Sequence, residues 1–257
     1  MSYIRDTAIV LKNEPFREHD AWLTLYGKEN GKMIAVARGA RRMDAKSLGH
    51  LEPLAEIDVM IAEGSVFDKL AVAHLIRPRL RLRNKLEILT VAGAFADIVD
   101  ALTKPGIGDP RIFGLLVELL DVSESCETIS AERSRLILSG ASLKLLDELG
   151  YAPHLNACIH CREPLQNDVE LLDDLGGLLC DRCGRDTRFV SSDRMSLPAS
   201  ALRLLRFLRA RPLNEILKIT APSSLFLVAS LAIESLLRRA PFIKEPHGPL
   251  TVSALVG

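Results

Sequence analysis

The sequence lacks several features that would assign it to a special class of protein. Its 257 residues include one tryptophan and few other aromatic residues, and its 33 lysines and arginines balance its 33 aspartates and glutamates. No apolar run approaches the ~18–20 residues of a membrane span, because Pro222 and serines interrupt the longest uncharged stretch, residues 219–233. The opening residues, MSYIRD, contain no apolar core of a secretory signal. We therefore expect a cytoplasmic protein with no membrane segment.

The motifs of common enzyme classes are also missing. There is no glycine-rich phosphate loop of the Walker or dinucleotide type, and no Gly-x-Ser-x-Gly nucleophile turn. No His-x-Glu accompanies a cysteine pair, which argues against a zinc deaminase. Two acidic pairs, Glu18/Asp20 and Asp173/Asp174, are most simply interpreted as exposed turn residues. Nothing in the sequence requires an enzyme.

Residues 1 to about 76 have the pattern of β-structure. Ile57, Val59 and Ile61 recur at the period of two that a half-buried strand needs, and turn-forming residues separate such segments. Closing the strands into a small barrel would remove exposed sheet edges, and both an OB-type and an SH3-like barrel fit the pattern. The five predicted strands lie near 7–12, 20–26, 32–37, 54–62 and 68–75.

After Leu82 the apolar period changes to 3.6, which predicts α-helices. The third helix has Ser130 as its predicted N-cap and Gly150 just beyond its C-terminus. Leucines on two sides of that helix indicate a central position in a bundle. The last helix is apolar all round for its first three turns, so we expect it to be buried as well. The predicted helices lie near 84–103, 110–121, 131–149, 198–210 and 224–240.

Four of the five cysteines form two identical pairs, Cys158-Ile-His-Cys161 and Cys180-Asp-Arg-Cys183, separated by eighteen residues. This spacing is typical of a structural zinc site, because each two-residue turn directs two sulfurs at one ion. Reduced thiols without metal are the alternative, and disulfides are not expected without a secretory signal. A four-sulfur site has no open position for substrate, so we interpret it as structural rather than catalytic.

The residues around the cysteine pairs have simple interpretations. Arg162, Arg182 and Arg185 can offset the −2 charge that four thiolates and one divalent ion would leave. His160 is interpreted as a surface imidazole, and the fifth cysteine, Cys126, as a small apolar filler or an exposed thiol. The hairpin at residues 162–179 carries five acids and one base, which makes it a poor reader of phosphates.

Three segments concentrate positive charge, although the net charge is zero. The loop after the third predicted strand can follow a phosphate backbone and release its counterions. If the segment at residues 77–85 is extended, its arginines point to one side about 6.6 Å apart. If it is helical, they lie in pairs on the helix surface. Either arrangement makes a local ridge of positive charge. The third set lies on one helix face, beside Leu204, Leu205 and Leu208. In chain order the cations are Arg38, Arg41, Arg42 and Lys46; Arg77, Arg79, Arg81, Arg83 and Lys85; Arg203, Arg206 and Arg209.

Several aromatic residues of the predicted barrel could offer platforms for base stacking. Because most aromatic residues of a barrel belong to its core, the sequence favours none of them. They are Phe16, Trp22, Tyr26 and Phe67.

A series of short segments carries a resemblance to a known family. In chain order these are Ala8–Leu11, His19-Asp20, Leu23–Leu25, Gly31-Lys32, Ala35–Arg42, Leu51–Leu54, Leu149–Pro153 before Cys158, and Gly176–Cys180 before Cys183. Their order and spacing resemble those of the RecO family of bacterial DNA repair proteins over most of the chain. The resemblance is weakest from about 100 to 135 and after 241. Two positions depart from the family pattern: His19 stands where Glu is expected, and Arg162 where Gly is expected.

The resemblance implies an α+β protein with two domains. An N-terminal five-stranded OB-type barrel, residues 1–80, would be followed by an α-helical domain, residues 81–257, with a zinc finger inserted at about 154–190. It implies a non-enzymatic mediator that acts in the repair of DNA damage and in recombination, in the cytoplasm at the nucleoid. Such a protein binds single- and double-stranded DNA, anneals complementary strands and helps load RecA onto DNA coated by single-stranded DNA-binding protein. Its partners are RecR and the acidic C-terminal tail of that coating protein.

Carried onto this sequence, the resemblance assigns DNA contact to the Arg38, Arg41 and Arg42 loop, and one structural Zn²⁺ to the four paired cysteines. The DNA-binding role of residues 77–85 is our inference from charge and from their place at the domain junction. Arg203, Arg206 and Arg209 are candidates for receiving the acidic tail.

Two alternatives belong to other functional classes. A nucleic-acid-processing enzyme could use a zinc ribbon as a substrate clamp, and Asp20, Asp173 and Asp174 would then be its candidate carboxylates. A transcription factor reading DNA with the zinc module is less consistent with the acidic hairpin.

Overall fold

The structure is a computed structural model that describes residues 2–42, 50–172, 176–186 and 194–240. The chain divides into two compact units, residues 1–128 and 129–257. The described part of the first unit contains five strands and three helices, and that of the second contains five helices and three short strands. The predicted domain boundary at residue 80 stays a prediction: the barrel strands end at Arg77, whereas the compact units part after residue 128.

The five N-terminal strands form a closed barrel in the order β1-β2-β3-β5-β4. All neighbouring strands are antiparallel except β3 and β5, which pair in parallel at Val36 and Lys69. This order confirms the OB-type barrel and sets the SH3-like alternative aside. The strands are β1 (Tyr3–Pro15), β2 (Ala21–Gly27), β3 (Gly31–Ala37), β4 (Glu56–Ala62) and β5 (Lys69–Arg77).

The barrel core follows from the period-two pattern of the sequence. Alternate side chains point inward and are almost completely buried, and each buried Leu or Ile contributes about 1.5–3 kcal/mol to stability. On β2, Leu23 and Leu25 face this core. Other members of the core are Ala8, Val10, Met33, Ala35, Leu51, Ile57, Val59 and Ile61.

The outer face of the barrel is covered around Tyr26 of β2 and Lys32 of β3, by segments of the three helices of the first unit that follow the barrel and by the residues between them. The helices are α1 (Leu80–Arg83), α2 (Leu86–Leu102) and α3 (Pro110–Ser125). Tyr26 is fully buried, its hydroxyl lies 3.5 Å from the Asp109 carbonyl oxygen, and burial raises its pKa to about 12. The Lys32 ammonium pairs with the Asp100 carboxylate and donates a 2.8 Å hydrogen bond to the Asp100 carbonyl.

The second unit is organised around a central helix. Its helices are α4 (Ala131–Glu148), α5 (Asp181–Gly184), α6 (Ala199–Ala210), α7 (Leu213–Ile216) and α8 (Ser223–Arg239). Helix α4 packs against α6, α7 and α8 and is buried on most sides, as its two apolar faces predict. Ser130 accepts a hydrogen bond from the Arg133 amide, and Gly150 has φ of 78°, so both predicted helix ends are confirmed.

The expectation that α8 is buried all round is wrong. Ala229, Ala232 and Ile233 are fully buried, whereas Leu227 and Leu231 are 42 % and 38 % exposed. Residues four apart lie on the same side of a helix, so these two leucines form an exposed apolar edge.

The segment between α4 and α6 forms a small sheet in the order β7-β6-β8. The strands are β6 (Val169–Leu172), β7 (Gly177–Cys180) and β8 (Arg194–Leu197). Both pairings are antiparallel. Because β7 ends at Cys180 and α5 follows directly, the sheet places the second cysteine pair at the end of a paired strand.

Candidate metal centre and nucleic-acid interface

The four paired cysteines meet at one point of the second unit. Their sulfur atoms all lie within 4.8 Å of one another, and the Sγ atoms of Cys161 and Cys180 are 3.7 Å apart. Four sulfurs bound about 2.3 Å from a tetrahedral zinc ion would be separated by about 3.8 Å. The thiols are free, so the donor set and spacing both fit a metal ion. These four residues could therefore hold a metal, as the spacing of the sequence predicts.

Two short turns direct the sulfurs inward. In the first, the Arg162 amide donates to the Cys158 carbonyl at 3.0 Å, and the Cys158 amide donates to the Glu163 carbonyl at 2.9 Å. In the second, Cys180 ends β7 and Cys183 lies in the one-turn helix α5. Strand pairing of Val169 with Cys180 fixes the second turn against the sheet.

The electrostatics of the cluster favour a bound cation. A hydrogen bond from the Glu163 backbone lowers the pKa of Cys161 to about 6, whereas burial raises the pKa of Cys183 to about 12. Thiolates this close repel one another, so a divalent ion stabilises the fully deprotonated set. Arg182 interacts with the sulfurs, and its hydrogen bond to Cys161 raises the pKa of the Arg182 guanidinium. Arg185 instead pairs with Asp181, at 2.6 Å.

His160 and Arg162 lie within and directly after the first cysteine pair. The His160 side chain is exposed, as expected, and its Nδ1 atom lies 3.5 Å from the Cys183 sulfur. Arg162 has a left-handed backbone with φ of 63°, a conformation that glycine adopts without strain. The structure thus gives a physical reason why glycine suits that position.

The loop after β3 presents three cations to solvent. Arg38, Arg41 and Arg42 are exposed, and Lys46 lies outside the described residues. A hydrogen bond holds the backbone of this turn to the turn before β2, since the Gly39 amide donates to an Asp20 carboxylate oxygen at 2.8 Å. A second hydrogen bond, from the Arg41 amide to the His19 carbonyl, measures 3.0 Å.

The segment at residues 77–85 does not form the single ridge that we expected. Strand β5 ends at Arg77, Arg79 has a left-handed backbone with φ of 54°, and α1 begins at Leu80. The change of direction at Arg79 turns its side chain inward, while Arg81 stays exposed. The cations of this segment therefore point in different directions.

Arg79 is buried among carboxylates. Its side chain is 1 % exposed and forms ion pairs with Asp121, with Glu124 at 3.0 Å and with Glu56 at 3.4 Å. Burial alone would lower the pKa of Arg79, but hydrogen bonds to Asp121 and Glu124 raise it above the ordinary value. A guanidinium held in this way joins the barrel to α3 and is not presented to a phosphate.

Three other cations of the segment are engaged in contacts, two with acids and one with a backbone carbonyl. The Arg77 side chain is about half exposed and pairs with Glu56 and Asp121. Arg83 pairs with Glu52 at 2.6 Å, and the Lys85 ammonium donates to the Cys126 carbonyl at 2.8 Å. These acids lie far from their partners in sequence, so local charge counting could not find them.

The three arginines of α6 also have different surroundings. Arg206 donates to the carbonyl oxygens of Leu155 and Leu165, at 2.7 Å each. Arg209 pairs with Asp147, and Arg203 is exposed. Arg206 and Arg209 line a cleft of about 610 Å³, together with Arg162 and His154 among others. The cleft is confined to the second unit.

Three of the four aromatic candidates gather at one end of the barrel. Phe16, Trp22 and Phe67 have ring centroids 5.1–5.6 Å apart, and the Arg17 guanidinium lies 5.0 Å from the Phe16 ring centre. Tyr26 belongs to the buried set instead. The sequence does not show which of Trp22 and Tyr26 is exposed, because both side chains lie on the same face of β2.

The carboxylates of the enzyme alternative do not form a cluster in the described part of the chain. Asp20 accepts a hydrogen bond from the Gly39 amide, and Asp173 and Asp174 lie outside the described residues. Among the described residues, the four cysteines are the group of His, Cys, Asp or Glu side chains close enough to hold a metal.

Comparison with known proteins identifies the family. A family model for the N-terminal part of recombination protein O matches residues 1–79, and one for its C-terminal part matches residues 83–240. The chain belongs to the RecO family. The resemblance seen in the sequence is thereby confirmed.

Three RecO relatives show how far the similarity extends. A DNA repair protein RecO of Rubrobacter xylanophilus is 32 % identical over 216 residues, which cover 84 % of each chain. That of Synechococcus sp. (strain JA-2-3B'a(2-13)) is 32 % identical over 247 residues, covering 91 % of this chain and 82 % of the relative. That of Alkaliphilus metalliredigens is 28 % identical over 219 residues, covering 84 % and 85 %. Within the described residues of this RecO-family chain, no helix is both long and apolar enough to cross a membrane.

Proposed function

We propose that this RecO-family chain is a non-enzymatic mediator of DNA repair and recombination. It binds single- and double-stranded DNA, anneals complementary strands and helps load RecA onto DNA coated by single-stranded DNA-binding protein. It acts in the cytoplasm, at the nucleoid. Family membership supports this role, as do the names of the relatives.

One observation carries the DNA-binding part of the proposal. The turn at residues 38–42 holds three exposed arginines at the end of β3, and hydrogen bonds to His19 and Asp20 anchor its backbone. An anchored turn presents its charges without a large loss of backbone entropy on binding. Each phosphate that these arginines neutralise releases condensed counterions.

Annealing requires charge neutralisation rather than bond chemistry. Two strands held along cationic side chains lose much of their mutual repulsion, so the electrostatic barrier to pairing falls. From the segment at residues 77–85 we retain Arg81, which is exposed, and Arg77, Arg83 and Lys85 as weaker contributors. We leave Arg79 out of the interface, because its guanidinium is enclosed by Glu56, Asp121 and Glu124.

We further propose that the four cysteines hold one structural Zn²⁺. A closed four-sulfur site stabilises the fold and leaves no coordination position for a reacting group. Cys158, Cys161, Cys180 and Cys183 would be the ligands, and Arg182 would offset part of the negative charge.

The protein partners complete the proposal. RecR is the expected assembly partner. The acidic tail of single-stranded DNA-binding protein would enter the cleft of about 610 Å³ beside α6, where Arg162 and Arg206 supply positive charge. Arg209 lines the same cleft, but its charge is shared with Asp147, which also lines it. Arg203, exposed on the same helix, would meet the tail at the surface.

An annealing assay tests the central claim. Complementary oligonucleotides coated with single-stranded DNA-binding protein are mixed with the intact chain or with the triple variant Arg38→Glu, Arg41→Glu, Arg42→Glu. We expect the triple variant to lose most of its DNA affinity and annealing activity, because three attractive contacts become repulsive.

The matched control changes the net charge equally at another place. Lys28→Glu, Lys104→Glu and Lys218→Glu replace three exposed lysines, and Lys28 lies at the opposite end of the β2–β3 hairpin. This control should anneal nearly as well as the unmodified chain. Equal loss in the two triple variants would contradict the proposed interface.

A further inference from the structure

Three loops of the barrel meet at one end of β2 and β3. The Arg41 amide bonds to the His19 carbonyl, which joins the turn at residues 38–42 to the turn at residues 16–20. The Val36 amide bonds to the Asp68 carbonyl at 2.8 Å, which joins the end of β3 to the loop between β4 and β5. Residues from separate parts of the sequence therefore share one surface.

An aromatic cluster occupies that surface. Trp22 projects from β2, Phe16 comes from the first loop and Phe67 from the loop before β5. Their rings lie 5.1–5.6 Å apart at tilted or edge-to-face angles. Phe16 and Trp22 are half-buried and Phe67 is 39 % exposed, so the cluster is packed together and still accessible to solvent.

The outer β2–β3 face is covered at its other end, around Tyr26 and Lys32. Tyr26 is covered by the segment before α3, and Lys32 is held by Asp100. The Gly106 amide donates to the Lys32 carbonyl at 3.1 Å. In an OB-type barrel this strand face and its adjoining loops are where oligonucleotides bind. A nucleic-acid strand could therefore reach this face at the end that carries Trp22.

The charges around the cluster fit a nucleic-acid strand. Arg17 lies against Phe16, and Arg38, Arg41 and Arg42 are exposed on the adjoining turn. Two nearby carboxylates are engaged with backbone amides: Asp20 accepts from Gly39, and Asp68 accepts from Gly64 at 3.1 Å. Glu18 is an exposed acid at the edge of the same turn.

We propose that Phe16, Trp22 and Phe67 form a platform on which unpaired bases stack while the neighbouring arginines hold the phosphates. This inference rests on the proposed function and adds what the arginines alone cannot supply, a preference for single strands. Phosphates are common to both forms of DNA, whereas the flat face of a base is free only when it is unpaired. Phe67, the most exposed ring, makes the principal contact.

The first test uses the intrinsic fluorescence of the chain. Trp22 is the sole tryptophan, so its emission reports this surface directly. We expect a dT oligonucleotide to quench it and a DNA duplex closed by hairpins at both ends to leave it nearly unchanged. Unchanged emission at saturating dT oligonucleotide would overturn the platform.

The second test separates stacking from charge. Because Phe67→Ala removes a ring on which a base stacks, it should weaken binding to the dT oligonucleotide about tenfold and duplex binding less than twofold. Val66→Ala is the matched control, since Val66 is 76 % exposed beside Phe67, and it should bind normally. Phe67→Tyr should restore single-strand binding, because it restores an aromatic ring.

The outcomes distinguish this inference from the proposed function. If Phe67→Ala weakens the binding of single-stranded and duplex DNA equally, or changes neither, the stacking platform is wrong. The arginine interface would not be contradicted by either result. If the Arg38/Arg41/Arg42 triple variant binds DNA normally, the proposed function itself fails. Thermal unfolding of each variant, followed through Trp22, verifies that the barrel is intact.

Discussion

At the scale of single residues, Arg162 shows how one backbone angle affects a metal site. Its φ of 63° costs an L-residue about 1–2 kcal/mol, and glycine avoids most of that cost but is more flexible when unfolded. Because metal binding and folding of such a site are coupled, the strain weakens the apparent affinity for the ion. We expect Arg162→Gly to bind zinc about fivefold more tightly than Arg162→Ala, measured by competition with a chelator.

The comparison of these two variants isolates the effect of the backbone conformation on zinc affinity. Both remove the guanidinium, so any effect of charge near the thiolates is common to them. They differ only in the β-carbon. Equal affinities would show that the left-handed conformation carries no cost at this position.

Arg79 allows a second prediction at this scale. Replacing it with Met leaves Glu56, Asp121 and Glu124 facing one another without their common cation. Removing one partner of a buried ion pair costs about 3–5 kcal/mol, and Arg77 can compensate part of this loss. We expect Arg79→Met to lower the free energy of unfolding of the first unit by about 2–4 kcal/mol. Denaturant unfolding followed by Trp22 fluorescence measures it.

The neighbouring arginine is the control. Arg81 is exposed, and Arg81→Met should change stability by less than about 0.5 kcal/mol. If both substitutions destabilise the unit equally, the buried ion pairs do not explain the effect.

At the scale of elements, the long and periodic ones could be predicted from the sequence. The sequence predicts the five barrel strands and the five longer helices to within about four residues of their ends, because their apolar side chains repeat every 2 or 3.6 residues. The sequence does not predict the sheet of β6, β7 and β8, since each strand has four residues, too few to show a period. The sequence nevertheless predicts the cysteine cluster, because metal ligation depends on the spacing of the ligands rather than on periodicity.

The hairpin element leads to a prediction about metal removal. Cys161→Ser replaces one of the four sulfurs, whereas Cys126→Ser changes the cysteine outside the cluster. We expect the unmodified chain and Cys126→Ser to contain about one zinc ion per chain, and Cys161→Ser to lose it during dialysis against a chelator. Elemental analysis measures the content. Retention of zinc by Cys161→Ser would contradict the four-sulfur site.

At the scale of the whole molecule, charge distribution was the hardest property to predict. The cations at residues 77–85 recur at every second position of the sequence, but their acidic partners come from β4 and α3 and from the residues before β4. The loop at residues 38–42 kept its charges exposed, as expected. Which cations are free depends on tertiary contacts 23–45 residues away, and no local pattern records them.

Because the molecule as a whole has no net charge, any attraction to DNA must come from the local set of arginines. Each phosphate contact on a single strand contributes about −0.7 to the slope of log affinity against log salt concentration. Replacing Arg38, Arg41 and Arg42 with Gln should therefore reduce the magnitude of that slope by about 2. Phe67→Ala should weaken binding at every salt concentration and leave the slope unchanged, since stacking releases no counterions. Fluorescence titrations at several salt concentrations measure both effects, and a flat dependence in the unmodified chain would contradict an electrostatic interface.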